Sequence, residues 1–261
     1  MSAAVLLATW NVNSIRARDE KVRAWLLARK PDVVCLQELK CEEEKFPRAA
    51  YEEAGWHVAL QGQRTYNGVA ILSRLPLEDV QMGLGDGEDD LQARLIAATI
   101  GGVRVLCAYA PNGESLGSEK YQYKLRWFTR LRRYLDARHT IADAFALCGD
   151  LNVAPEPIDV HDPDRWASTV LYHSDARAAL AQVVSFGLAD AYRRHVPDPG
   201  KFTWWDYRAG AFHKNQGLRI DHVLVTPRLL ERSAAAEIDR EARKGPLPSD
   251  HAPVLVELGP G

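Results

Sequence analysis

Six times along this chain of 261 residues, a short apolar run ends in a carboxylate or an amide. The endings read TWNVNS (Thr9–Ser14), LQELK (Leu36–Lys40), YAPN (Tyr109–Asn112), GDLNV (Gly149–Val153), RIDHV (Arg219–Val223) and SDH (Ser249–His251). Short apolar runs bounded by turn residues read as buried strands. Strands that end together on one rim of a sheet gather distant residues where α/β folds bind their ligands. Asn11, Glu38, Asp150, Asn152, Asp221, Asp250 and His251 are thereby candidates for one site, with Tyr109 and Asn112 beside them. Singly, each is an ordinary turn, strand end or helix cap. Their recurrence at the same kind of position joins them. Four carboxylates on one rim repel unless a cation neutralises them, and an all-oxygen set favours Mg²⁺ or Mn²⁺ over zinc.

Between these endings, strands alternate with helices. Strands are expected at Val5–Trp10, Val33–Leu36, Trp56–Leu60, Val69–Leu72, Leu95–Ile100, Val103–Ala108, Phe145–Cys148, Phe202–Trp205, Ile220–Val225 and Val254–Leu258, with Gly83–Asp90 a loop. Helical spacing marks Asp19–Arg29, Ser118–Arg138 and Ser174–Phe186. In the long helix Tyr121, Leu125, Phe128, Leu131 and Leu135 form the apolar stripe, and Lys120, Lys124, Arg126, Arg130, Arg132 and Arg133 the polar face. No low-complexity segment or Ser/Gly linker divides the chain, so residues 1–261 read as a single domain. Two strand-rich halves interleaved with helices suit two packed sheets with helices outside.

The hydrophobic fraction of 46% and charged fraction of 26% exclude a disordered, collagen-like or coiled-coil chain. The net charge of −2 means that any affinity for nucleic acid must come from local clusters. None of Cys35, Cys41, Cys107 and Cys148 forms a CxxC, and no Cys/His spacing suits zinc, so a reducing cytoplasm is expected. Met1–Ala8 reads as the start of a first strand, not a signal peptide, and no apolar run is long enough to span a membrane.

The order WNVNS, LQELK, YNGVAI (Tyr66–Ile71), YAPNG, CGDLNV, FTWWDYR (Phe202–Arg208), GLRIDHVL (Gly217–Leu224) and SDHAPV resembles the exonuclease III family of apurinic/apyrimidinic endonucleases, over Leu7 to Val256. That family lies within the endonuclease/exonuclease/phosphatase superfamily. The resemblance implies a four-layer α/β sandwich, two mixed sheets flanked by helices, and Mg²⁺-dependent hydrolysis of DNA phosphodiesters in repair. It makes Glu38 the principal metal carboxylate, with Asn11 and Asp250 as direct or indirect partners. Asp150 resembles the residue that orients or deprotonates water, and Asn152 a phosphate ligand. Asp150, Asn152 and His251 also stand in range of a metal. His251 with Asp221 resembles a phosphate-binding couple, and Tyr109 a residue stabilising charge at the scissile phosphate. Asn112 resembles a DNA-contacting amide, while Trp204, Leu218 and Ile220 match positions walling a pocket for a base-less sugar.

Phosphodiester hydrolysis asks for such a set independently, because it needs positioning and electrostatic stabilisation of charged oxygens. Basic contacts to DNA are expected from Lys120, Lys124, Arg16 and Arg18, with Arg240, Arg243 and Lys244 in a loop before SDH. His173 is expected either to be an exposed residue at a helix start or to crowd the sugar pocket and bias the enzyme toward 3′ ends. The reading is a monomeric nuclease acting on abasic or 3′-blocked duplex DNA, without an obligate protein partner. Incision 5′ to abasic sites would accompany 3′-phosphatase, 3′-phosphodiesterase and 3′→5′ exonuclease activity. Its rivals are a 3′-end-processing enzyme with weak or no abasic incision, another member of the superfamily such as a phosphoinositide phosphatase or sphingomyelinase, and a catalytically silent DNA-binding protein on the same fold.

Overall fold

The computed structural model describes residues 4–261, so residues 1–3 of the expected first strand lie outside the described residues. One mixed sheet comprises β1 (Val5–Asn11), β2 (Val33–Gln37), β3 (His57–Gln61), β4 (Val69–Ser73), β13 (Ser233–Ile238) and β14 (Val254–Leu258), in the order β13-β14-β1-β2-β4-β3. The other comprises β5 (Glu78–Met82), β6 (Leu95–Ile100), β7 (Val103–Tyr109), β8 (Phe145–Asp150), β9 (Ala189–Asp190) and β12 (Asp221–Val225), in the order β5-β6-β7-β8-β12-β9. A small ribbon pairs β10 (Trp204–Trp205) with β11 (Gly217–Leu218). Each large sheet is built round one parallel pair, β1 with β2 and β7 with β8, and its other pairings are antiparallel.

The helices are α1 (Ile15–Arg29), α2 (Arg48–Glu53), α3 (Glu119–Arg138), α4 (Pro163–Trp166), α5 (Ser174–Val184), α6 (Ala191–His195) and α7 (Pro227–Leu230). Three apolar layers hold them to the sheets. Leu7, Cys35 and Ile71 of the first sheet meet Val105, Cys107, Cys148 and Val223 of the second. Alternate residues of the first sheet, Ala8, Trp10, Leu36 and Leu72, face outward onto Val22, Trp25 and Leu26 of α1. Leu106, Leu147 and Leu224 face α3 and α5 through Phe128, Leu131, Leu135 and Leu180. Strands buried on both faces explain the unbroken apolar runs, since side chains alternate between faces with period two. This is the expected four-layer α/β sandwich. All four cysteines are free and buried, and among the described residues no helix is long and apolar enough to cross a membrane.

Helix ends set the lengths. Ser14 caps α1 by accepting from the Ala17 N–H, so the helix starts at Ile15, four residues before the expected Asp19, and Lys30 closes it in left-handed geometry ahead of Pro31. Ser118 caps α3 by accepting from the Tyr121 N–H. The buried stripe of α3 differs from expectation. It runs Tyr121, Lys124, Phe128, Leu131 and Leu135, with Lys124 in the place expected of Leu125.

Candidate active site

Register does the gathering. Asp150 of β8 lies between Tyr109 of β7 and Asp221 of β12, all three being direct cross-strand partners. In the first sheet Asn11 pairs with Gln37, and the next residue, Glu38, leaves the strand with a φ of 54°. A bend into the left-handed region is uncommon for a non-glycine residue; here it swings the Glu38 carboxylate across the mouth of the two sheets.

The Asn11 amide bridges them. Its Nδ2 donates to Glu38 Oε1 (2.8 Å) and to Asp150 Oδ2 (2.9 Å), while its Oδ1 accepts from the Asn13 N–H (2.9 Å). The same Glu38 Oε1 accepts from Tyr109 Oη at 2.9 Å, and Lys40 Nζ stands 2.7 Å from Glu38 Oε2. Asp150 Oδ1 accepts from the Asn152 N–H at 2.9 Å, made possible by a φ of 52° at Asn152. Asn152 in turn donates to the Ala110 carbonyl (2.9 Å) and accepts from Asn112 Nδ2 (3.2 Å).

His251 completes the group. Nδ1 lies 2.8 Å from Asp221 Oδ2, and Nε2 faces Asp150 Oδ2 at 3.7 Å. Ser249 Oγ anchors the segment by donating to the Asn11 carbonyl (2.7 Å). Asp250 accepts from Asn13 Nδ2 (2.9 Å) and Trp204 Nε1 (3.0 Å), which ties the ribbon to the rim.

The charges are polarised. Burial raises the Asp150 carboxyl well above the usual range, and the Asp221 and Glu38 carboxylates add to this against His251. Burial alone would pull His251 down, yet Asp221 and Asp150 more than reverse it and keep the imidazole protonated above neutrality. Glu38 is held below the usual carboxylate range because Lys40, with help from Asn11, outweighs its burial. Burial pushes the Tyr109 phenol well up, so it stays a neutral donor.

This donor set fits a hard divalent cation. Glu38, Asp150 and His251 offer ligand atoms within 4.8 Å of one another, and Glu38 already draws an ammonium to its free oxygen. The carboxylates are the fitting ligands. His251, protonated and bound to Asp221, is placed to donate to an anion instead. Asn11 turns its N–H₂ toward the carboxylates and spends its oxygen on Asn13, while Asp250 has both oxygens engaged.

Several expected DNA contacts are placed otherwise. Lys124 is fully buried, its ammonium donating to the carbonyls of Asn112 (3.1 Å), Asn152 (2.7 Å) and Val170 (2.6 Å), so it does not reach a phosphate. The heptad-like spacing 121-124-128-131-135 already carried that signal. Leu218 and Ile220 are sealed in the core, because β11 pairs with β10 and Val160 covers Leu218. Trp204 alone of that trio keeps a partly open face, edge-on to Trp166. His173 caps α5, its Nδ1 accepting from the Asp175 N–H (3.3 Å) and lying 3.2 Å from Tyr121 Oη. Lys120 is exposed and paired with Glu114, and Arg16 is exposed.

Sequence reasoning missed Lys40, Asn13 and Arg94. The Arg94 guanidinium lies 5.0 Å over the Tyr109 ring and donates to the Tyr109 carbonyl. It lines a cleft of about 650 Å³ beside Tyr109 and Asn112, with Tyr66 and Lys120 on the far wall. LQELK held a signal for Lys40, an ammonium two residues beyond the carboxylate; Arg94 lies in a loop with no pattern of its own.

Two mixed sheets with acidic and amide groups at their common mouth define a class of phosphoester-cleaving folds, and residues 8–251 match the Endonuclease/Exonuclease/phosphatase family, to which the chain belongs. Within that family, it is 34% identical to exodeoxyribonuclease III of Haemophilus influenzae, over 96% of this chain and 98% of that protein. It is 43% identical to an AP endonuclease from Archaeoglobus fulgidus (TM-score 0.95, covering 97% of this chain and 99% of that one). A 3′ phosphatase, NExo, from Neisseria, solved with a product DNA hairpin, is 42% identical (TM-score 0.93, with the same 97% and 99% coverage).

Proposed function

We propose that this chain is a DNA-repair nuclease that hydrolyses phosphoesters of duplex DNA, by incision 5′ to abasic sites and by removal of blocked or ordinary nucleotides at 3′ ends. The observation that carries this reading is one constellation: Asp150 between Asn11 and His251, with Glu38 and Asp221 behind them. Relatives of both kinds, an AP endonuclease and a 3′ phosphatase, stand at near-equal identity, which supports both activities.

In this reading the protonated His251, held by Asp221, and the side chain of Asn152 bind the phosphate oxygens. Asp150, deprotonated, orients the attacking water and accepts its proton. The neutral Tyr109 hydroxyl, now donating to Glu38, stands beside the position where charge develops. Mg²⁺, held by Glu38 with Asp150 near it, supplies when bound the positive charge that steadies the phosphate and the departing oxygen. Trp204 and Asn112 face the DNA, with Arg16 and Lys120 on its flanks. The enzyme works as a monomer in the cytoplasm without an obligate protein partner; its four free thiols suit a reducing compartment.

The deciding experiment incubates the protein with Mg²⁺ and three probes: an abasic duplex, a 3′-phosphate duplex and an inositol phosphate. Cleavage of the two duplexes alone is the expected result. Cleavage of the inositol phosphate alone would place the chain on another branch of the family, and cleavage of none would make it a silent DNA-binding fold.

A further inference from the structure

The protein contains two deeply buried arginines near its catalytic rim, and treats them differently. Arg219, 1% exposed, is clamped by Asp159 (2.7 Å) and Asp190 (2.7 Å). Arg243, 6% exposed, ends the short turn Arg240–Arg243 and has no hydrogen-bond or ion-pair partner among the described residues. Its Nε is shut off from solvent and unbonded. Its guanidinium lies 4.9 Å from the ring of Tyr207 and 5.2 Å from that of Phe212.

An unpaired buried charge is strongly unfavourable, and the ring faces offset only a little of it. The neighbours compensate only in part. Burial depresses Arg243 and Arg18 adds to this, while Tyr207 and the Asp250 carboxylate act the other way without bonding to it; Arg18 and Arg243 together add to the burial that lowers Lys21. Lys21 Nζ donates to the Lys244 carbonyl at 2.6 Å, which holds a further cation alongside. The carboxylate at the rim of this recess, Asp206, is already occupied by Arg208 at 2.9 Å. The recess itself, about 350 Å³, is walled by Tyr207, Phe212, His213, Arg243, Lys244 and Pro248.

Position gives the recess a purpose. Tyr207 Oη accepts from Arg18 (3.1 Å) and from Asn13 Nδ2 (3.4 Å), and Asn13 donates to Asp250. One layer of side chains therefore separates Arg243 from the catalytic rim. A guanidinium fork matches the paired oxygens of a phosphate or a carboxylate without losing its charge, and on the surface of a DNA-cleaving enzyme the abundant anion is phosphate.

We propose that this recess is a second phosphate site, in which Arg243 holds a backbone phosphate of the duplex beyond the scissile position, with Lys21 alongside and Lys244, whose ammonium pairs with Glu241 at 2.6 Å, on its wall. The proposal rests on the nuclease reading and deepens it, since it names where a remote part of the substrate is gripped.

The test uses the full chain, with Arg243→Met to remove the charge and Arg243→Lys to keep it. Binding of a 3′-phosphate duplex is followed in EDTA over a salt series, and melting is followed with and without inorganic phosphate. Arg243→Met should bind the duplex about tenfold more weakly, with a log–log salt slope smaller by about one, as expected for one lost phosphate contact. Arg243→Lys should keep the slope. Freed of its unpaired charge, Arg243→Met should melt higher than the parent in phosphate-free buffer and ignore added phosphate, which should stabilise the parent. A parent-like salt slope in Arg243→Met would overturn the proposal, even if phosphate stabilised the parent; the recess would then hold a free ion. A parent protein that failed to bind duplex at any salt would instead sink the nuclease reading, and this proposal with it.

Discussion

Replacing Lys124 by Met removes an ammonium while keeping the length of its stem, so it isolates what the charge does. The ammonium gathers three carbonyls from three loops: Asn112 after β7, Asn152 after β8, and Val170 before α5. Hydrogen bonds to a charged group contribute about 1.5–3 kcal/mol each, giving roughly 5–9 kcal/mol gross for three. Burying the ammonium costs several kcal/mol, enough to lower this amine to about 7 despite Asp150 nearby, and the variant recovers that cost. The difference is a net destabilisation of about 2–4 kcal/mol, or a fall in Tm of roughly 4–16 °C for a chain of this size. Catalysis should suffer separately. Asn152 and Asn112 hold each other at 3.2 Å across two of these loops, and a displacement of about 1 Å in a catalytic group can lower kcat about a hundredfold. Urea unfolding followed by circular dichroism gives the stability, and steady-state turnover of a 3′-phosphate duplex below the transition gives kcat. A variant with the parent's unfolding midpoint and the parent's kcat would refute the reasoning, because three buried carbonyls would then have lost their donor without consequence.

EDTA should abolish hydrolysis, and Glu38→Ala should lower kcat steeply with the circular dichroism spectrum intact; full turnover after exhaustive metal removal would contradict the cation assignment. Asp150→Asn should lose about 10²–10⁴-fold in kcat, as expected for a proton-transfer group. Because burial and its neighbours raise the Asp150 carboxyl, protonation on lowering the pH should produce an acid limb, and a bound cation favours the carboxylate. The limb in kcat/KM should thus move to lower pH as Mg²⁺ rises, and a limb indifferent to Mg²⁺ would count against it. Arg219→Met should cost about 3 kcal/mol by taking the buried cation from Asp159 and Asp190, of which Asp159 keeps Arg193 and Asp190 keeps the N–H groups that start α6. Burial would raise both carboxyls, but Arg219 and its neighbours depress them, so their contribution is present above the ordinary carboxylate range and lost as pH falls through their lowered values. The stability gap between parent and variant, measured in urea, should therefore be constant near neutrality and close in acid; a pH-independent gap would show that the ion pairs are not its source.

The site was far more legible in the sequence than its surroundings were. Strand endings such as GDLNV stand out because a strand buried on both faces is continuously apolar and its polar end is abrupt. β5 and β13 were invisible for the opposite reason. Both are edge strands whose side chains are exposed or at most half-buried, held by backbone pairing to β6 and β14, so no apolar pattern marks them. The ribbon β10-β11 and helices of four to six residues are likewise too short for periodicity to register. Lys124 was misread because residue type suggested solvent while spacing suggested the core. Leu218 and Ile220 were assigned to a pocket wall by resemblance, yet they lie beneath Trp204. Arg243 appeared only as one charge in a basic loop, since an unpaired guanidinium is a property of three-dimensional surroundings.

The register of β1 on β14, with Thr9 opposite Val254, has a consequence for the timing of synthesis. Ser249 is made 238 residues after Asn11 and must reach back to the Asn11 carbonyl before Asp250 and His251 can close the rim. A growing chain can therefore assemble Tyr109, Asp150 and Asp221 on one sheet and still lack the imidazole of His251 that pairs with Asp221. A nuclease built on this plan therefore has an incomplete rim until β14 has paired with β1.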